Sequence, residues 1–256
     1  MSSISQHNFF ILFTFLLIST MMKIERFEVN PFQENCYIVS DDSGEGIIID
    51  CGAFYEEERK AVVEYVMDNG IELKHLISTH GHIDHNFGNN TIYERFGLKP
   101  EVHAADEPLM SKLGEQALMF CNYRLNYEMP PVGRYLSEAD TIRFGNHELN
   151  IISTPGHTPG GVCYYDETDK VLLTGDTLFA GAIGRSDLIG GDYDHLIISI
   201  MDKLMGLPGD VDVLPGHGRK TTIADERTHN PFLQPFNEPE EDLDWDGEGI
   251  EIEGEK

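Results

Sequence analysis

The chain places three histidines and one aspartate side by side in Thr79-His80-Gly81-His82-Ile83-Asp84-His85, directly after the apolar run Leu76-Ile77-Ser78. In an extended chain, side chains at positions i and i+2 point the same way, so His80 and His82 can hold one ion. Asp84 and His85 are adjacent and point apart, which favours a second ion beside the first. Imidazole and carboxylate together suit zinc, with iron or manganese as alternatives. A polar loop that is merely rich in histidine is the competing interpretation.

Three later segments share one design, an apolar strand that ends in a loop of small residues with a metal-binding type of side chain. These loops contain Thr154-Pro155-Gly156-His157, Thr174-Gly175-Asp176 and Pro215-Gly216-His217. Each is weak evidence alone, because a polar residue after a strand is often a cap. Loops at strand ends are also where functional sites assemble on a rigid scaffold. We therefore expect these loops to meet the histidine cluster.

The periodicity of apolar residues predicts a mixed α/β chain. Strands are predicted at 24–29, 36–39, 46–49, 76–78, 140–144, 148–153, 162–165, 171–174 and 211–214, and helices at 56–67, 86–96, 107–121 and 193–207. Strands and helices alternate in both halves, so we expect two sheets packed face to face with helices outside.

Composition restricts the partners and divides the chain. The 256 residues carry a net charge of −27, which repels polyanions, so we expect a small-molecule substrate, no nucleic acid and no membrane. Residues 237–256 are an acidic tail that we expect to be disordered. Residues 1–21 contain an apolar run without a preceding Lys or Arg, and we interpret them as a non-native leader or a weak signal-like segment. The domain proper is predicted at 22–236.

The four cysteines form no CxxC pair, which fits a reducing cytoplasm. Export is the alternative if the N-terminal apolar segment is a genuine signal.

Taken together, the motifs resemble the metallo-β-lactamase superfamily, in the order His-x-His-x-Asp-His, Gly-His, Gly-Asp and Gly-His. The resemblance runs from Met22 to Phe236 and implies a four-layer αββα sandwich of the α/β (α+β) class. It also implies a set of metal ligands: His80, His82 and His157 for one ion, Asp84, His85 and His217 for the other, and Asp176 as a bridge between them. Asp50 matches an early aspartate that supports the site from behind, although it could equally be a turn residue before Gly52.

A dinuclear metal centre of this kind indicates a hydrolase. Two divalent ions, with Zn²⁺ favoured over Fe or Mn, lower the pKa of bound water to about 7. Asp84 and Asp176 are the catalytic carboxylates that hold these ions. The resulting hydroxide attacks an acyl carbonyl, and the remaining positive charge stabilises the oxyanion.

The segment from Gly175 to Leu188 looks like compact bacterial glyoxalase II, the hydroxyacylglutathione hydrolase, and so implies a thioester substrate. In this family a positively charged side chain at the position of Arg185 helps to bind the substrate, and Arg185 retains that charge. Asp187 stands where the family has a tyrosine. One alternative is a persulfide dioxygenase of the same fold, with a single iron on His80, His157 and Asp176. A non-catalytic metal-binding protein is the other.

Overall fold

We describe residues 21–234 of a computed structural model. The predicted tail and all of the predicted leader except Met21 lie outside the described residues.

The first sheet contains six strands in sequence order. The strands are β1 (Lys23–Val29), β2 (Glu34–Ser40), β3 (Glu45–Ile49), β4 (Glu72–Ile77), β5 (Pro100–His103) and β6 (Arg134–Leu136). The first three pair antiparallel, and β3 to β6 pair parallel.

The second sheet also has six strands, in the order β14-β13-β10-β9-β8-β7. They are β7 (Thr141–Phe144), β8 (His147–Ser153), β9 (Val162–Asp166), β10 (Val171–Gly175), β13 (Asp212–Pro215) and β14 (Thr221–Thr222). A short hairpin, β11 (Leu178–Phe179) with β12 (Ala182–Ile183), follows β10. Only the β10–β13 pair of this sheet is parallel.

Helices cover the outer face of each sheet. They are α1 (Glu56–Asp68), α2 (Asn89–Phe96), α3 (Glu107–Met110), α4 (Leu113–Cys121), α5 (Tyr193–Ser199) and α6 (Ile223–His229). Helices α1 and α2 pack on the first sheet, and α5 and α6 pack on the second. Within residues 21–234, none of these helices has the length and apolarity that crossing a bilayer requires.

Successive side chains of each strand point to opposite faces of its sheet, and this alternation separates the inner core from the outer layers of helices. Ile47 and Ile49 face the core between the sheets, whereas Ile48 packs against the helices on the other side. In the second sheet Tyr164 faces the inner core, and its neighbours Cys163 and Tyr165 face the outer helices. The inner faces of the two sheets are therefore packed on each other and helices cover part of each outer face, so the predicted four-layer αββα sandwich is confirmed.

Two predicted helices differ from the structure. The predicted helix at 107–121 is broken after Met110, because the Leu109 carbonyl accepts from the Lys112 N–H and from the Gln116 side-chain amide. The predicted helix at 193–207 is regular only to Ser199 and then widens into a π-helical turn, Ile200–Leu204. The prediction also omitted β5 and β6, which are short and carry no clear alternation.

Candidate metal centre

The candidate ligands lie in loops at the ends of β4, β8, β10 and β13. From the first sheet, the chain leaves β4 through His80 and His82 and enters a 3₁₀ turn, Ile83–His85, that presents Asp84 and His85. The Asn86 side-chain amide donates to the carbonyls of His80 and His82, which holds this loop in place. The second sheet contributes the remaining three side chains after its own strands: His157, Asp176 and His217.

All seven side chains converge. One group is formed by His80, His82 and His157, and another by Asp84, His85 and His217; within each group the potential ligand atoms lie within 4.8 Å of one another. Each group thus draws side chains from both sheets. These two groups match the sets implied by the sequence resemblance, and two further groups meet the same distance limit: His80 with His85 and Asp176, and Glu34 with Asp50 and His85.

Asp176 lies between the two groups. Its Oδ2 is 3.5 Å from His157 Nε2, and its Oδ1 is 3.3 Å from His85 Nε2 and 3.6 Å from His217 Nε2. One carboxylate oxygen therefore faces each group, which is the arrangement that a bridging ligand requires.

The donor set fits divalent cations. Among the described residues, buried His80 Nε2 has no hydrogen-bond partner, and buried His85 Nε2 and Asp176 Oδ1 have only each other, at 3.3 Å. Such unpaired buried polar atoms are costly and need an explanation. His82 Nδ1 and His157 Nε2 lie 2.9 Å apart, so these two ring nitrogens face the same place. A cation coordinated by these atoms would satisfy them all.

Electrostatics favour the metal-binding forms of His80, His82 and Asp176. Burial lowers the pKa of His82 to about 4, and burial with the neighbouring imidazoles holds the pKa of His80 well below its usual value. Burial alone would raise the pKa of Asp176, but the adjacent histidines hold it well below its usual value. Neutral imidazoles and an ionised carboxylate are the forms that coordinate metals.

The same pocket attracts positive charge. Burial would lower the pKa of His85, yet the surrounding carboxylates Asp176, Asp84 and Asp50 raise it well above its usual value. The pocket around His85 therefore has a negative potential, which suits a cation.

Hydrogen bonds behind the rings orient the candidate ligands. His157 Nδ1 donates to the Arg185 carbonyl at 2.7 Å, and His217 Nδ1 donates to the Phe32 carbonyl at 3.0 Å. These bonds fix the tautomer and leave Nε2 directed into the site.

Asp50 lies behind His85, as the resemblance implied. It is buried, accepts from the Thr79 N–H and Oγ1, and places Oδ2 3.1 Å from His85 Nδ1. Its backbone is left-handed at φ 53°, so the alternative interpretation as a turn residue also describes its conformation.

The sequence analysis missed two buried acids. Glu34 is fully buried with Oε1 3.8 Å from His85 Nδ1, and burial raises its pKa well above its usual value. Asp106 is also fully buried and accepts from backbone N–H groups of two of the four ligand-bearing loops, those after β4 and β8. Nothing in their local sequence distinguishes them, because their positions depend on contacts with distant residues.

The candidate ligands line a cavity of about 230 Å³. His82, Asp84, His157, Asp176 and His217 form its floor, and Phe32, Ile83, Phe120, Arg185 and Leu188 complete the lining. Arg185 therefore borders the site, as predicted for a substrate-binding residue. Its guanidinium donates twice to the Asp187 carboxylate, at 2.8 and 2.9 Å.

Known proteins are similar to this chain in fold and in sequence. The chain is 36% identical over 216 residues to the Haemophilus influenzae protein named hydroxyacylglutathione hydrolase GloC, covering 83% of this chain and 98% of that one. The structure of this chain is similar to that of BLEG-1 B3 metallo-beta-lactamase, with a TM-score of 0.75 and 30% identity over 83% of this chain and 99% of that chain. It is also similar to TTHA1623 in a di-iron-bound form (TM-score 0.71, 32% identity, 82% and 100%). The profile of the metallo-beta-lactamase superfamily matches residues 29–217, and the chain therefore belongs to this superfamily of metallo-hydrolases.

Proposed function

We propose that this protein hydrolyses thioesters of the hydroxyacylglutathione type or a related acyl substrate, with two zinc ions at its centre. The observation that carries the proposal is Asp176, whose two carboxylate oxygens face two separate groups of candidate ligands. The proposed ligands are His80, His82 and His157 for one ion, Asp84, His85 and His217 for the other, and Asp176 for both.

When bound, two divalent cations supply a hydroxide nucleophile at neutral pH and polarise a carbonyl oxygen. The protein's own residues prepare the site for that chemistry. Asp176 and Asp84 stay ionised, because nearby histidines outweigh the effect of burial and lower the pKa of each carboxyl. Phe32 and Phe120 line the cavity and add apolar surface beside the candidate ligands. Hydrolysis breaks the C–S bond: water gives its oxygen to the acyl carbon, and the thiol leaves with a proton.

Two observations support a thioester substrate. The relative named hydroxyacylglutathione hydrolase GloC matches this chain over 98% of the relative's length and 83% of this chain. The segment from Gly175 to Leu188 resembles that enzyme class, and its Arg185 borders the cavity. The metal follows from the ligand set, since zinc suits its five imidazoles and two carboxylates. Iron is the alternative, since TTHA1623 is described in a di-iron-bound form.

A mononuclear-iron dioxygenase would need only His80, His157 and Asp176. The second group, Asp84 with His85 and His217, is equally complete, and this favours a dinuclear hydrolase. A non-catalytic metal-binding role is disfavoured by the cavity that opens over both groups.

The test combines metal content with turnover. Full-length protein purified without chelators should contain two zinc ions per chain and should release thiol from members of a thioester panel that begins with lactoylglutathione. We expect His157→Ala and His217→Ala to lose metal and at least about a hundred-fold in kcat/KM, because each removes a proposed ligand. His195→Ala is the matched control, since His195 is exposed on α5 and lies outside the cavity lining.

Two results would contradict the proposal. One is a single iron per chain with oxygen consumption on glutathione persulfide. The other is a full complement of two metals without turnover of any thioester in the panel.

A further inference from the structure

An apolar groove adjoins the metal cavity. It has a volume of about 330 Å³, and its apolar lining is Pro108, Leu109, Met119, Phe120, Leu188 and Ile189. Ile189 is 83% exposed and Met119 is 68% exposed, so two large apolar side chains face solvent here. Exposed apolar side chains grouped in a concavity of this size are typical of a ligand site.

The groove and the cavity adjoin each other and share part of their lining. His82, Phe120 and Leu188 line both of them. A molecule whose carbonyl lies at the candidate metal centre can therefore extend an arm into the groove without leaving the protein surface. This shared lining identifies the occupant as part of the substrate.

The charges around the groove disfavour an anionic arm. Arg185 is the single Arg or Lys among the described residues that line the cavity, and it forms an ion pair with Asp187. Lys112 and Glu115 at the groove carry opposite charges that offset each other. The chain as a whole has a net charge of −27. A substrate arm with carboxylates would gain little here, whereas an uncharged apolar arm would bury surface against Met119 and Ile189.

We propose that the groove binds an uncharged apolar arm of the substrate, so that neutral thioesters with alkyl arms are preferred over glutathione thioesters. This inference rests on the proposed thioester hydrolysis and names its substrate class. The apolar arm is either the acyl chain or the alkyl part of the thiol, since both flank the same carbonyl.

The kinetic test uses two series of neutral thioesters. One series lengthens the acyl group of N-acetylcysteamine thioesters from acetyl to octanoyl, and the other lengthens the thiol of acetyl thioesters. In the series whose arm occupies the groove, kcat/KM should rise about two- to four-fold per methylene until the groove is full. Lactoylglutathione should fall below the best neutral substrate.

Variants assign the effect to the groove. Met119→Glu should abolish most of the increase with chain length, because it places a charge beside the apolar arm. Met119→Leu should retain the increase. Ile198→Glu is the matched control, since Ile198 is an exposed apolar residue on α5 that lines neither the groove nor the cavity.

Calorimetry separates this inference from the proposed function, because it needs no turnover. If the acyl chain occupies the groove, N-hexanoylethanolamine should bind at least ten-fold more tightly than N-acetylethanolamine. If the alkyl part of the thiol occupies it, N-hexylacetamide should bind at least ten-fold more tightly than N-ethylacetamide. In either case Met119→Glu should remove the difference. Tighter binding of the longer ligand, without hydrolysis of any thioester, would support the groove as a binding site for an apolar arm and would contradict the proposed thioesterase activity. Binding and kcat/KM that do not vary with chain length in either series would overturn the inference. It would also be overturned if Met119→Glu dissociated an oligomer without changing the chain-length dependence.

Discussion

Replacing Asp106 with alanine should loosen the candidate metal centre without removing any proposed ligand. One oxygen of this fully buried carboxylate accepts from the Gly81 N–H at 2.8 Å and from Thr158 Oγ1 at 2.7 Å. The other accepts from the Gly160 N–H at 2.6 Å. Gly81 belongs to the first sheet's histidine loop, whereas Thr158 and Gly160 follow His157 in the second sheet's loop. Asp106 therefore joins the two loops.

The loss in free energy of unfolding that we expect in Asp106→Ala follows from these three hydrogen bonds. A hydrogen bond to a charged group contributes about 1.5–3 kcal/mol, and a buried donor left without an acceptor adds a penalty. Burial of the carboxylate offsets part of this gain, as shown by the raised pKa of Asp106. We expect Asp106→Ala to lower the free energy of unfolding by about 4 kcal/mol. Zinc affinity should fall about ten- to a hundred-fold, as for other groups that orient ligands.

Urea unfolding of the metal-free protein, followed by circular dichroism, measures the first effect. With a slope of about 3 kcal/mol per molar urea, the midpoint should fall by more than about 1 M. Asp106→Asn keeps one acceptor oxygen and should lose about half as much. Glu107→Ala, at the exposed neighbouring position, should change stability by less than about 0.5 kcal/mol. A wild-type midpoint together with wild-type zinc affinity in Asp106→Ala would refute the reasoning.

Three further substitutions test other contacts of the site. Asn35→Ala removes two amide hydrogen bonds to the loop that carries His217, and elemental analysis after desalting should show metal content falling from two ions toward one per chain. Because burial lowers the pKa of His82 to about 4, unfolding takes up a proton there. The metal-free protein should therefore lose up to about 3 kcal/mol as pH falls from about 6.5 to about 4, and urea midpoints should show a smaller loss in His82→Gln. Asp187→Ala releases Arg185, so kcat/KM for lactoylglutathione should rise at least about three-fold relative to a neutral thioester; an unchanged ratio would place Arg185 away from the substrate's carboxylates.

Much of the fold could be predicted because the strands carry a strong local signal. In Ile47-Ile48-Ile49 every side chain is buried, and strand geometry alone divides them between two layers. The break in the predicted helix at 107–121 could not be predicted in this way. Gln116 reaches across to the carbonyl of Gly81 and to that of Leu109, so a contact with another loop decides where α4 begins.

The candidate site shows the same division. Metal binding demands particular side-chain chemistry, so histidines and aspartates at four strand ends indicated where a centre could form, and the structure brings all seven together. Supporting residues need only an acceptor or donor in the right place. Glu34 lies beside His85 because its backbone bridges to His217, a residue far along the chain. No local pattern marks such a position.

Contacts between the two sheets connect metal binding with stability. Tyr37 Oη donates to the Pro215 carbonyl at 2.8 Å, and Tyr164 Oη donates to the Ser78 carbonyl at 2.9 Å, so each sheet holds a ligand-bearing loop of the other. Both groups of candidate ligands also combine side chains from the two sheets. A cation bound by either group would therefore join the sheets at the same edge that these tyrosines join. Metal affinity and packing between the sheets are then thermodynamically linked, and a substitution that separates the sheets must weaken both.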